Sequence, residues 1–276
     1  MSHVDFVHLR VRSSFSLLQS TVRVEALAKA CRAAEMPAVA VADDTNLFAA
    51  MPFCAAAKKA GVQPIVGAMV PLAAVEAVPR TPGRPAPPEH LVLLVKNAQG
   101  YGNLLRLLSR AWVAAEPGAD IRVSLAELTE FGQGLICLTG GPAGPIGAAL
   151  RRGDAKLAAE LLRGLKAVFG DRLYLELVRH GREEDDAIEP AMLDLAYAQD
   201  VALVATNDVH FLEAKGYEAQ DALLCIADGA QMAQEDRRRL SVEARFKSAA
   251  EMSALFADLP EAVANTLVIA RRCAFM

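Results

Sequence analysis

Seven short apolar runs, separated by amphipathic helical stretches, constrain this chain more than any other feature. The runs cover residues 6–11, 38–41, 64–70, 91–95, 134–138, 173–178 and 202–206. Between them, residues 24–34, 47–60, 101–112, 155–169 and 187–199 repeat apolar positions at helical spacing. Strand–helix alternation implies a parallel sheet covered by helices. No glycine-rich dinucleotide fingerprint follows any run, so seven βα units favour a closed or nearly closed barrel over a doubly wound sheet. Two further helical segments, 217–226 and 249–273, lie beyond the seventh run. The expected division is a barrel over 1–230 and a helical extension over 231–276, in which Leu255, Phe256, Leu259, Val263 and Leu267 need a surface to cover. The proline-rich stretch 79–88 reads as a surface loop.

A chain of 276 residues with 53% apolar content can bury a substantial core. Its net charge of −4 argues against gripping nucleic acid by phosphate neutralisation. The run Arg237, Arg238, Arg239 is the local exception, and such runs are more often solvated faces than phosphate sites. Five dispersed cysteines without C-x-x-C spacing read as idle thiols in a reducing compartment. No apolar run approaches membrane length, and a cytoplasmic protein is expected.

The chemistry concentrates at strand ends. The run LVATNDVH delivers Asp208 and His210 where α/β proteins place ligands and metals. A hard oxygen and an imidazole two residues apart can face one metal. Apart from His3 near the N-terminus, the histidines lie in or beside predicted strands: His8, His90, His180 and His210. Asp43 and Asp44 follow the second strand. One such histidine is usually a hydrogen-bonded structural residue; several in separate βα units suggest convergence on one barrel mouth, as in a metal-dependent hydrolase. His90 precedes its strand instead of following it, so spacing alone puts its place at the same rim in doubt. The first strand, FVHLRVR, answers with cations: alternation puts His8, Arg10 and Arg12 on one face, pointing inward or to the mouth. A guanidinium has no lone pair to give a metal and repels one. It can replace the metal's charge by pairing with Asp43, Asp44 or Asp208, which is the expectation here; the bland alternative is Arg12 reaching solvent.

FVHLRVRSSFSLL, VAVADDTNLF, KKAGVQPIVGA, HLVLLVKNAQGYGNLLRLLSRAW, YLELVRHG, LVATNDVHF and YEAQDALLCIADG together resemble the N-terminal PHP (polymerase and histidinol phosphatase) domain of bacterial DNA polymerase III alpha subunits, of the proteobacterial replicative type. The resemblance spans nearly the whole chain. It implies an α/β fold, a distorted (β/α)7 TIM-like barrel, with extra C-terminal helices. It also implies a polymerase palm, with its magnesium ions and nucleotidyl-transfer site, outside this sequence. Active members hold a metal cluster and hydrolyse phosphoesters. Carried over residue by residue, His90, His180, Asp208, His210 and Asp43 match ligand positions. Arg10 and Arg12 stand for the two histidines of H-x-H-S, Gln19 for an acidic residue, Asp44 for the histidine of T-D-H, and Met69 for the acidic residue of G-x-E. Methionine is a poor ligand for hard or borderline ions. The resemblance therefore implies a degenerate metal site without phosphoesterase activity or a cofactor, and a structural module that docks the proofreading exonuclease (epsilon) subunit. It touches DNA only through the holoenzyme and no membrane. The alternative is a residual phosphoesterase or 3′–5′ exonuclease holding one zinc or manganese ion at His180, Asp208 and His210.

Overall fold

The computed structural model describes residues 4–73, 89–116 and 121–275. His3 and the stretch 79–88 lie outside them. The helices are α1 (Val24–Ala33), α2 (Ala50–Ala60), α3 (Ala98–Ala114), α4 (Leu125–Phe131), α5 (Pro145–Arg151), α6 (Ala155–Phe169), α7 (Glu183–Asp186), α8 (Glu189–Ala198), α9 (Tyr217–Asp228), α10 (Ala249–Leu255) and α11 (Pro260–Arg272). The strands are β1 (Ala38–Asp44), β2 (Gln63–Pro71), β3 (His90–Val95), β4 (Leu135–Leu138), β5 (Leu173–Val178) and β6 (Ala202–Thr206). Local chemistry sets several ends. Asp154 caps α6 by accepting from Leu157 N, and its Leu162, Leu165 and Phe169 form the buried stripe. Ser124 and Glu127 close a capping box on α4.

The six strands lie in sequence order, β1-β2-β3-β4-β5-β6. β1–β2, β4–β5 and β5–β6 are parallel, but β3 is antiparallel to both neighbours. The expectation of an all-parallel sheet is corrected here. Pro71 at the end of β2 pairs with His90 at the start of β3, so the chain re-enters the sheet at the rim where it left. A parallel strand would have to begin at the opposite end. An apolar run carries no record of its direction, so the sequence could not supply this.

The first apolar run is not a regular strand but closes the ring. Val11 bridges Val41 on one side and Val209 on the other, both in parallel sense. Ala40 N donates to His8 O and Ala42 N to Val11 O, so three residues on this segment match two on β1. That extra residue is a bulge, and it shifts the phase of side chains beyond it. Val7 and Leu9 point into the barrel with Ala40, Ile65, Met69 and Leu94, while Val11 joins the layer under the helices. The expectation that His8, Arg10 and Arg12 share a face fails for this reason. His8 sits apart from the arginines, packed between Phe6 and Phe246.

The barrel is α/β with its helices packed outside. The outer layer joins Val39, Val41, Leu93 and Leu175 to Leu27, Phe53, Leu104 and Leu165. The expected single helix over 249–273 is two, because Pro260 starts α11 after Leu259. Phe256, Leu259 and Val263 are buried in the outer layer, Leu255 is partly buried there, and Leu267 packs on the interior cluster. α11 seals the end where the parallel strands begin: Gln63 Nε2 donates to Ala270 O, Asn265 Nδ2 to Leu203 O, and Val7 N to Thr266 Oγ1. The opposite rim is left for chemistry. Among the described residues no helix is long and apolar enough to cross a membrane.

Candidate functional site

The open rim gathers Asp43 and Asp44 from β1, Met69 from β2, His90 from β3, and His180, Asp208 and His210 from the loops after β5 and β6. Because β3 is antiparallel, its first residue stands where its neighbours end, and His90 does lie at this rim. The doubt raised by its position in the sequence is thereby removed.

Asp43, 1% exposed, is held by the first loop: Ser13 N and Ser13 Oγ each donate to it at 2.7 Å, and Ser16 Oγ at 2.6 Å. Burial raises its carboxyl above the usual range, against the pull of these hydrogen bonds. Asp44 receives His90 Nε2 at 2.9 Å. Burial pushes Asp44 up, but the His90 hydrogen bond and the charges of His90 and Arg12 outweigh it, leaving it below the ordinary value. The expected pairs of these two aspartates with the arginines give way to these partners.

The arginines converge on Asp208. Arg10 Nε stands 3.0 Å and Arg12 Nε 3.2 Å from Asp208 Oδ1. The Arg12 contact is an aligned hydrogen bond, whereas the Arg10 N–H points off the line and the contact is an ion pair. Arg10 also spends Nη1 on Gly140 O at 3.0 Å and Glu176 Oε1 at 3.3 Å. Burial disfavours the charge on Asp208, yet Arg10, Arg12 and His210 hold its carboxyl well below the usual range. Arg10 and Arg12 are 2% and 8% exposed, which rules out the solvated reading of Arg12. Asp208 adopts a left-handed backbone, φ +40°, which a short polar side chain tolerates.

Glu176 is the residue that sequence reasoning missed. It is fully buried and accepts Thr206 Oγ1 and Gly140 N while facing Arg10. A signal existed: Glu176 is the one charged residue in the strand LYLELV. Gly140 is required beside it, because φ is +84° and a Cβ there would come 1.8 Å from His90 O.

The imidazoles are tied by their other nitrogens. His180 Nε2 donates to Asn207 O at 2.8 Å, and burial lowers its pKa to about 4, so it is neutral. His210 Nδ1 donates to Gln19 O at 2.9 Å, leaving Nε2 3.5 Å from Asp208 Oδ1. The Gln19 side chain turns away to accept from Arg238. Met69 is buried in the barrel interior. Among the described residues, no three or more His, Cys, Asp or Glu side chains are placed to share one cation. A strap over 241–247 covers the His180–His210 side. Asn207 Nδ2 donates to Glu243 O and Arg245 O, Lys247 Nζ donates to Asn207 Oδ1, and Ser241 Oγ donates to His180 O. The basic run is largely neutralised: Arg237 pairs with Asp221 at 2.5 Å and Arg238 with Asp228 at 3.0 Å, while Arg239 donates to Gln234 O.

A barrel of this topology, with histidines and aspartates on the rim opposite α11, defines a class, and the chain belongs to it: the family model described as PHP domain matches residues 8–180. Over 98% of its length the chain is 47% identical to DNA polymerase III subunit alpha of Caulobacter vibrioides and 40% identical to that of Pseudomonas aeruginosa, covering 24% and 22% of those proteins. Over 99% of its length it is 37% identical to DNA polymerase III subunit alpha of Escherichia coli, covering 23% of that protein. The chain thus spans about a quarter of the length of these curated relatives. Among solved structures, an amidohydrolase from Chromobacterium violaceum with bound sulfate and no metal superposes with a TM-score of 0.51 at 13% identity, covering 74% of this chain and 87% of that one. That likeness concerns the fold alone.

Proposed function

We propose that this PHP domain works without metal, as a structural module of a DNA polymerase III alpha chain and a docking platform for the separate proofreading exonuclease subunit, and has no phosphoesterase activity of its own. The observation carrying this is that both Arg10 and Arg12 reach Asp208 Oδ1, the carboxylate at the centre of the rim. The donors present do not fit a divalent ion. Asp208 is matched by two fixed cations that would repel a metal, Asp43 has its oxygens filled by three donors, and Asp44 is taken by His90. Where a bound cation would satisfy buried carboxylates, guanidiniums do so, and with Glu176 they lock the barrel mouth. His90, His180, Asp208, His210 and Asp43 are on this reading vestigial ligands; Arg10, Arg12, Gln19, Asp44 and Met69 are replacements. Nucleotidyl transfer, its magnesium ions and DNA contact belong to the remainder of the alpha chain, and the protein works in the cytoplasm. The 1–230 barrel and the 231–276 extension then act as one unit, since α11 forms the floor.

The experiment is elemental analysis of protein purified without chelator, repeated after soaking in zinc and in manganese. Less than a tenth of an equivalent of metal is expected in either case. Stoichiometric metal that disappears in His210→Ala would overturn the metal-free reading. One observation favours that alternative: His210 has its Nδ1 pinned by a carbonyl and its Nε2 turned to Asp208, the way a metal-ligating imidazole is oriented. Docking is tested separately, by binding of the purified exonuclease subunit to the intact polymerase chain.

A further inference from the structure

The rim loop between β1 and α2 and the C-terminal end of α3 leave large apolar side chains in water. Phe48 is 64% exposed, Met51 78%, Trp112 53% and Val113 87%. They belong to one surface. The Trp112 indole N–H donates to Thr45 O at 2.8 Å, seating the end of α3 against the loop that carries Phe48, and Met51 follows one turn later. Asn46 Nδ2 donates to Phe15 O, tying this loop to the turn that carries the exposed Leu17. Single exposed apolar residues need no explanation; a contiguous group with a tryptophan and a methionine marks a contact surface. The unpaired charge below it is mostly basic. Lys58 lies two turns from Met51 on the same face of α2, with Lys59 beside it, and Arg106 lies two turns from Val113 on α3. Among the described residues no carboxylate stands within ion-pair distance of these three, whereas Arg110 is matched by Glu127 and Glu130. Glu116, just past the end of α3, is the acidic exception.

We propose that this surface docks an acidic segment bearing large apolar side chains from a separate protein chain. Its apolar anchors cover Phe48, Met51 and Trp112, and its carboxylates run towards Lys58, Lys59 and Arg106, in the manner of an amphipathic segment in a groove. The proposal rests on the docking-platform reading, under which the segment belongs to the proofreading exonuclease subunit. A single-stranded nucleic acid would instead need rings on which successive bases stack, and Met51 and Val113 offer none.

The test measures binding of the purified exonuclease subunit to the intact polymerase chain, comparing wild type with Met51→Glu, Val113→Glu and the pair Lys58→Glu/Arg106→Glu. All four positions are exposed, and an unchanged thermal midpoint verifies folding. The glutamates at 51 and 113 are expected to weaken binding at least tenfold. The charge reversal is expected to slow association several-fold and to flatten its salt dependence. Oxidative footprinting adds a second readout: Met51 is expected to be reactive in the free polymerase chain and protected in the complex. Wild-type binding that all three variants retain would overturn this surface while leaving docking intact. Met51 already protected in the free chain would overturn it too, by showing that the patch is covered intramolecularly. A wild-type chain that does not bind would overturn the docking reading itself, and this occupant with it.

Discussion

Replacing Arg10 with alanine removes a guanidinium that is 2% exposed and stands between two carboxylates, 3.3 Å from Glu176 and 3.0 Å from Asp208. The two are left in different positions. Asp208 keeps Arg12 at 3.2 Å and is 17% exposed, so part of its charge remains compensated. Glu176 is fully buried and keeps only neutral donors, Thr206 Oγ1 and Gly140 N. Leaving one partner of a buried pair without its counter-charge costs roughly 3–5 kcal/mol, a fall in melting temperature on the order of 10 °C for a chain of this size. Arg12→Ala should cost less, about 1–3 kcal/mol, because Arg10 still faces Asp208. The decisive variant is the pair Arg10→Met/Glu176→Gln, which removes both charges, nearly keeps volume, and should recover most of the loss. The assay is urea unfolding followed by circular dichroism, reading the midpoint at constant m. The pH dependence has a definite sign. The Asp208 carboxyl lies well below its ordinary value, so its stabilisation is complete above about 3.9, the unfolded value, and is lost as pH falls through the native one. Without Arg10 the native value rises, so the variant loses this contribution at higher pH. A cost of Arg10→Ala below about 1 kcal/mol, the range of an exposed pair, would refute the reasoning.

Three further outcomes follow from the same geometry. His8 and His180 are each lowered by burial to about 4, so the unfolded chain takes up protons below its value of 6.5 while the native one does not; stability is full above about 6.5 and falls as pH drops to 4. A His8→Gln variant, which still offers a donor to Lys247 O, should lose up to about 3 kcal/mol of that pH dependence, measured by unfolding at pH 7 and pH 4.5. Gly140→Ala should destabilise by well over ~1 kcal/mol, the penalty for left-handed backbone alone, because its Cβ would meet His90 O at 1.8 Å; the thermal midpoint reads it. Asp43→Asn should cost about 1–3 kcal/mol, since an amide nitrogen cannot accept from Ser13 or Ser16; equal stability of variant and wild type in urea would contradict this.

The parts of the fold visible in the sequence are those that periodicity encodes. The bounds of α6 were legible to the residue because Asp154 caps it and Gly170 follows its last buried aromatic, Phe169. The runs that became β1, β3 and β5 were legible because each is largely apolar on both faces, as expected between a filled interior and a helical layer. What alternation does not encode is direction and phase, and both bear on the site. The reversed direction of β3 moves His90 from the floor to the rim. The extra residue between His8 and Val11 separates His8 from Arg10, so the histidine packs between Phe6 and Phe246 while the guanidinium enters the mouth. The choice of Asp208 over Asp43 was hidden too, because it depends on how two rim loops are already filled. Ser13 and Ser16 reach Asp43 from a turn next to Arg12, and they satisfy that carboxylate locally before any arginine is needed. Asp208 has no such hydroxyls among its partners and takes both guanidiniums. Glu176 then follows as a consequence. Two buried arginines against one aspartate would leave a positive excess in the barrel, and a second carboxylate on the neighbouring strand balances it. The lone glutamate of LYLELV and the paired arginines of FVHLRVR are therefore one feature, read from two places in the sequence.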